Sequence, residues 1–182
     1  GTRWAETTLD TYNFTGNEAA YPILTDWADH PEGGLYLYGR NGLGKTHLAV
    51  ALMRRLLAQH RQVVFSPCAE LLASLRKAFD EKPTWMEREF MDSLSTVEVL
   101  ILDDLGAHKV SEWVIGELFL ILDRRERNAL RTVITSNLDL SEVAVTFGDR
   151  IASRIGGLCR LVKIVGADQR LLRQRTPTAS ET

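Results

Sequence analysis

Residues 39–46 read GRNGLGKT, and the rest of the chain can be read outward from them. The stretch meets G-x-x-x-x-G-K-[ST] at every fixed position, the pattern of a phosphate-binding loop. Gly39, Gly42 and Gly44 permit the tight turns that bring backbone N–H groups against phosphate oxygens. Lys45 offers a point charge to the β- and γ-phosphates. Thr46 offers a hydroxyl to Mg²⁺. Asn41, Leu43 and His47 lie in or directly beside the loop and count with it as nucleotide contacts. The ligand class implied is a nucleoside triphosphate with magnesium.

The flanks support that reading. GLYLYG (34–39) is a short apolar run ending in glycine, as a buried strand does. THLAVALMRRLLAQH (46–60) places Leu48, Leu52 and Leu56, with Ala49 and Met53, at helical spacing among strong helix formers. The loop therefore stands between a strand and a helix N-terminus, where the macrodipole also favours an anion.

Further strands are expected at QVVF (62–65), ended by Pro67, at VEVLILDDLG (97–106), at TVITSN (132–137) and at LCRLVKIVG (158–166). Helices are expected at 69–79, at 86–94, at 112–128 with Ser111 as N-cap, and as two short pieces around Gly148 in 140–157. A short helix at 19–30 is expected to be interrupted at Pro22. Strands alternating with helices imply an α/β fold, a five-stranded parallel sheet with both faces covered. The division expected is an N-terminal segment (1–33) packing near the nucleotide site, a core (34–172) and a polar tail (173–182).

Composition sets limits. At 182 residues, with 45% hydrophobic and 25% charged residues, the chain suits one domain with an ordinary core. No apolar run approaches the roughly 18 residues of a membrane span, and no signal peptide is visible. The net charge of −2 excludes a basic field over the whole surface, so any nucleic-acid contact must be local or built by assembly. Cys68 and Cys159 lack C-x-x-C spacing and read as free thiols of a cytoplasmic protein. The four histidines form no metal-ligand spacing and read as surface or incidental, although His47 counts with the loop by position.

A phosphate loop needs a carboxylate to hold its magnesium. VLIL (99–102) delivers Asp103 and Asp104 at a strand's carboxyl end, where open α/β sheets place ligands. Asp103 fits the metal-holding role, and Asp104 is placed to orient or activate the attacking water. Asn137, at the end of TVIT, either hydrogen-bonds that water and the γ-phosphate or is simply a turn residue.

With GRNGLGKT, LILDDLG and TSN in this order, the chain resembles the AAA+ ATPases. More narrowly it resembles the DnaC/DnaI-type helicase loaders and the IstB-like ATP-binding proteins of transposition. TLDTYNF (8–14), AELLASLRKAF (69–79), LDRRERN (122–128) and DRIASRI (149–155) carry the narrower likeness, which covers roughly residues 7–172. The resemblance implies ATP with Mg²⁺, slow hydrolysis, assembly into a ring or spiral, single-stranded DNA and a replicative helicase as partners, and no membrane. It implies that Asn137 is a sensor of the γ-phosphate and that Arg154 is an arginine finger inserted into the neighbouring subunit's site, with Arg150 as its competitor. Ser66 matches a polar residue that restrains the catalytic carboxylate. Two departures stand out: Asp-Asp replaces the Asp-Glu of many AAA+ proteins, and the small helical lid is expected to be absent, Arg170 being a partial substitute for its arginine.

In the loaders an extra helical element faces DNA at the position of Ala69–Leu94. Arg76, Lys77, Lys82 and Arg88 are its basic candidates here, with Phe79 and Trp85 as stacking groups. Asp80, Glu81, Glu87 and Glu89 are interleaved, so a solvated helix face is the competing reading. The functions to weigh are helicase loading, an IstB-type role in transposition, a small-molecule kinase, and a nucleotide-gated adaptor with negligible turnover. The kinase is disfavoured by the sensor and finger residues and by the lack of an evident acceptor pocket.

Overall fold

The computed structural model describes residues 4–80, 85–106 and 111–169. Five strands form one all-parallel sheet: β1 (Gly34–Tyr38), β2 (Val63–Pro67), β3 (Val99–Leu105), β4 (Arg131–Ser136) and β5 (Cys159–Lys163). Their spatial order is β2-β3-β4-β1-β5. β4 thus lies between β1, which feeds the phosphate loop, and β3, which ends in the aspartates. The carboxyl ends of three neighbouring strands meet there, the usual ligand position of an open α/β sheet.

Helices cover both faces. α1 (Ala20–Asp29) and α2 (Lys45–Ala58) bury Leu24, Trp27, Leu48, Leu52 and Leu56 against one side. On the other side, α3 (Cys68–Asp80), α4 (Trp85–Thr96), α5 (Glu112–Arg127), α6 (Leu140–Phe147) and α7 (Asp149–Leu158) bury Leu71, Leu94, Leu118, Leu122, Phe147, Ile151 and Ile155. Leu100, Leu102 and Ile134 face this second cluster, while Val99, Ile101 and Val133 face the first, the period-2 alternation of strands buried on both faces.

Local chemistry places the element ends. Ser111 caps α5 by accepting from the Val114 amide. Asp139 and Glu142 form a reciprocal capping box on α6. One expectation is corrected. Pro22 does not interrupt α1; it occupies the first turn, where its missing N–H has no intrahelical partner to lose. Pro67 ends β2, as its last residue, tolerated because β2 is an edge strand.

Arg125 is the largest fully buried side chain. Its guanidinium donates to Thr132 Oγ1 and to the carbonyls of Leu94, Val97 and Arg131, at 2.7–3.0 Å. It ties the end of α5 to the end of α4 and the start of β4. Burial lowers its pKa to about 10, still cationic at neutral pH.

Candidate nucleotide site

The loop wraps the start of α2. Gly42 (φ +83°) and Gly44 (φ +81°) are left-handed, and Gly44 is the helix's N-cap. Only glycine fits: a Cβ on Gly42 would collide with the Asp168 carboxylate, and one on Gly44 would approach the Tyr12 ring to 2.8 Å. No side chain caps α2's first turn, so its N–H groups are set toward the cleft as anion donors.

Lys45 is buried to 7% exposure, and its Nζ donates to Gly39 O (2.8 Å), Arg40 O (3.0 Å) and Asn137 Oδ1 (2.7 Å). Thr46 Oγ1 donates to Asp103 Oδ2 at 3.0 Å, and Thr135 Oγ1 donates to Asp103 Oδ1 at 2.7 Å. Asn137 Nδ2 donates to Asp104 Oδ1 at 3.2 Å. The amide of Asn137 therefore joins the loop lysine to the second aspartate.

Successive strand residues normally point to opposite faces, so adjacent aspartates should diverge. A register shift between β3 and β4 at Leu102–Leu105 and a left-handed Asp104 (φ +63°) prevent this. The Asp104 amide donates to Thr135 Oγ1 instead of to the ladder. Asp is among the few non-glycine residues that tolerate this conformation. The bulge re-aims Asp104 so that both carboxylates serve one site.

Asp103 is 8% exposed, and burial is the main cause that raises its carboxyl pKa; the Thr135 and Thr46 hydroxyls pull it down. A buried carboxylate beside a hydroxyl is a hard-oxygen pair suited to Mg²⁺, which prefers one or two carboxylates plus phosphate oxygens and water to an all-protein cage. Among the described residues no cluster of three His, Cys, Asp or Glu forms such a cage.

The N-terminal segment packs on the loop. Tyr12 OH donates to Leu43 O at 2.6 Å, and burial raises its pKa to about 12. His47 is buried, against the incidental reading; its Nε2 lies 3.1 Å from Thr8 O and 3.3 Å from Thr11 Oγ1. Gln169 closes the other side, its amide donating to Gly42 O and its side chain to Asn13 O. Between them lies a cleft of about 300 Å³, lined by Asn41, Lys45, Thr46, Asp104 and Asn137 and by Trp4, Tyr12 and Gln169.

Thr135, Tyr12 and Gln169 were not singled out from the sequence. Thr135 was accessible, since two residues before Asn137 on a strand is the same face. Ser66 is buried in β2 opposite Leu102, but the Asp104 carboxylate is held by Asn137. Cys68 and Cys159 are free and buried, and burial pushes both thiols up, away from reactivity.

Arg154 lies elsewhere, on the α5–α7 face. Its Nη1 donates to Glu126 Oε2 at 2.6 Å, its Nε lies 3.4 Å from Asp123 Oδ1, and its guanidinium stands 5.5 Å from the Phe119 ring centre. Arg150 covers the same ring at 4.1 Å. Of the basic candidates on α3 and α4, Arg76 is exposed on α3, and Trp85 at the start of α4 is 66% exposed. The side chains of Lys77, Phe79 and Arg88, and Lys82, Arg170 and the tail altogether, lie outside the described residues. Among the described residues no helix is long and apolar enough to cross a membrane.

A family model for IstB-like ATP binding proteins matches residues 8–177. The replicative helicase loader DnaC of Escherichia coli K12 is 27% identical over 117 residues, 64% of this chain and 47% of its own. A putative ATP-binding protein of insertion sequence IS21 from Pseudomonas aeruginosa is 36% identical over 115 residues, 63% of this chain and 42% of its own. The chain thus spans about half the length of the curated relatives it matches. Among solved structures, a DnaC helicase loader superposes with a TM-score of 0.79 at 27% identity, covering 91% of this chain and all of that one.

Proposed function

The chain belongs to the family of IstB-like ATP-binding proteins, and from that premise we propose that it is an ATP-hydrolysing switch that loads a replicative helicase on single-stranded DNA. The observation that carries the switch is the connected set Lys45–Asn137–Asp104, with Asp103 fixed beside Thr46. In this reading Lys45 and the amides of the loop and α2 bind the phosphates. Asn137 positions the water, and Asp104 accepts its proton. Thr46 and Asp103 would hold Mg²⁺, which supplies charge neutralisation between the β- and γ-phosphates.

Arg154 completes a neighbouring subunit's site in trans, so hydrolysis depends on self-association. Arg76, with Lys77, Lys82 and Arg88, contacts single-stranded DNA, and repetition around an assembly offsets the weakness of each small patch. The helicase as partner rests on the likeness to the DnaC loader.

A second reading, an ATPase helper of transposition, is favoured by the higher identity to the IS21 protein, 36% against 27%. ATP-dependent capture separates the two. Helicase retained by the ATP-loaded full-length protein, and lost with Lys45→Ala, is the expected result. Retention of transposase alone overturns helicase loading in favour of transposition.

A further inference from the structure

Phe119, Asp123 and Glu126 form one stripe of α5, spaced i, i+4, i+7. Arg150, Arg154 and Gly157 form a stripe of the same spacing on α7. Equal spacing lets two packed helices meet residue by residue. Arg150 meets Phe119, Arg154 meets Asp123 and Glu126, and Glu126 lies over Gly157. At Gly157 a Cβ would meet the Glu126 carboxylate at its present place, so the bare glycine lets that side chain lie over α7.

The two acids are largely covered, with side-chain exposures of 15% for Asp123 and 26% for Glu126, and Arg154 is only 35% exposed. Arg127 takes the other Asp123 oxygen at 2.5 Å, which fixes that carboxylate from behind. Nη1 of Arg154 donates to Glu126, and Nε lies 3.4 Å from Asp123 without a hydrogen bond.

We propose that Asp123 and Glu126 are positioning residues for Arg154, a carboxylate pair that holds its guanidinium beside the Phe119 ring, through Nη1 on Glu126 with Asp123 alongside, ready for a phosphate of the adjoining subunit. The proposal rests on the reading of Arg154 as a finger acting in trans. A long arginine side chain loses much rotamer freedom when fixed. A pair already formed in the lone subunit makes that loss before the phosphate arrives, which is preorganisation of an electrostatic catalyst. It also explains why acids stand beside a group meant for an anion: the Glu126 bond at Nη1 fixes the guanidinium's place before the phosphate arrives.

The test mixes two kinds of subunit. Those carrying Lys45→Ala bind ATP about 100-fold more weakly and, at limiting ATP, donate only the finger. Those carrying Arg154→Ala donate only the ATP site. Mixing, with ATP, Mg²⁺ and single-stranded DNA, should restore hydrolysis that neither kind performs alone. Glu126→Gln or Asp123→Asn in the finger donors should then lower kcat about 3- to 10-fold with KM for ATP unchanged. Glu126→Gln in the site donors, where Arg154 is already gone, should change kcat less than twofold. A merely structural role would lower both mixtures equally. Mixing that restores nothing overturns the finger reading and the proposal with it. Restored hydrolysis with equal losses in both arms, or no loss, overturns the positioning role and leaves the finger standing. The conservative variants keep the size of each side chain, and an unchanged melting temperature confirms that they fold.

Discussion

Two regions each hold a cation that the proposed function assigns to phosphate, and they hold it differently. In the strand-end cleft, Lys45 donates to three neutral oxygens, two loop carbonyls and the Asn137 amide. On the α5–α7 face, Arg154 is held by two carboxylates of one helix. Neutral oxygens fix the lysine's position, while its charge also acts on the nearby Asp103 carboxylate. Carboxylates offset the charge and fix mainly a direction. The lysine is therefore a binder and the arginine a pointer. Arg125 supplies the control: a cation on α5 held by three carbonyls and a hydroxyl, buried and joining helix ends.

The largest expected effect breaks the pointer. Arg154→Ala should cut hydrolysis by the assembled protein about 10³-fold, the lower end for arginine fingers, while ATP affinity of the single subunit stays the same. Steady-state turnover with single-stranded DNA measures it. Unchanged turnover would transfer the role to Arg150, one turn away on the same ring.

Next comes the control. Arg125→Met keeps an apolar stem but leaves the Leu94, Val97 and Arg131 carbonyls without their donor. Buried unsatisfied acceptors cost about 1 kcal/mol or more apiece, so about 3 kcal/mol in all. For a chain of this size that lowers the melting temperature by about 10 °C. A shift under about 2 °C in calorimetry would mean that water takes over these acceptors.

The binder follows. Lys45→Ala should weaken ATP about 100-fold, from the ~2–3 kcal/mol of a charge-assisted hydrogen bond. Isothermal titration that still finds micromolar affinity would remove Lys45 from the site. Together with Arg154→Ala, the pair of results separates binding from turnover.

The two regions also differ in how far the sequence disclosed them. The cleft is built from a strand, a loop and a helix consecutive in the chain, so motif and context stand side by side in GLYLYGRNGLGKTHLAVAL. Asp103 was legible because an apolar strand ends on it. The aim of Asp104 was not, because it depends on a left-handed residue and a register shift that no side-chain pattern announces. The partners of Arg154 were hidden for a different reason. LDRRERN and DRIASRI each show helical spacing, but only the packing of α5 on α7 pairs Asp123 and Glu126 with an arginine some thirty residues on. The packing of α5 on α4 and β4 divides the basic residues of RRER into a salt-bridged surface and one buried pin, a division that composition cannot make. His47 was misjudged because a lone histidine carries no pattern until Thr8 and Thr11 are folded onto it.

The smallest effect concerns the cost of keeping Asp103, the proposed metal ligand, dry. Burial raises the Asp103 carboxyl above its ordinary pKa despite the two threonine hydroxyls. A raised pKa means that the folded chain holds the proton more strongly than the unfolded chain does. The stability linked to that proton is complete below the unfolded carboxylate range and is lost as pH rises through the folded pKa. At neutral pH the ionised Asp103 therefore destabilises the fold. Asp103→Asn should raise the melting temperature at pH 7 by a few degrees, about 1 kcal/mol, since an amide can accept from Thr135 and donate to Thr46. The advantage over the wild type should shrink toward acid pH, as the wild-type carboxyl takes up its own proton. The same variant should lose the Mg²⁺-dependent part of its ATP affinity, so that ATP with Mg²⁺ stabilises the wild type more than the variant. Scanning calorimetry at pH 7 and pH 4, with and without the nucleotide and metal, tests each part. A variant that melts lower than the wild type at pH 7 would show that the threonine hydroxyls already outweigh burial, and the cleft would then be a site built without stability cost.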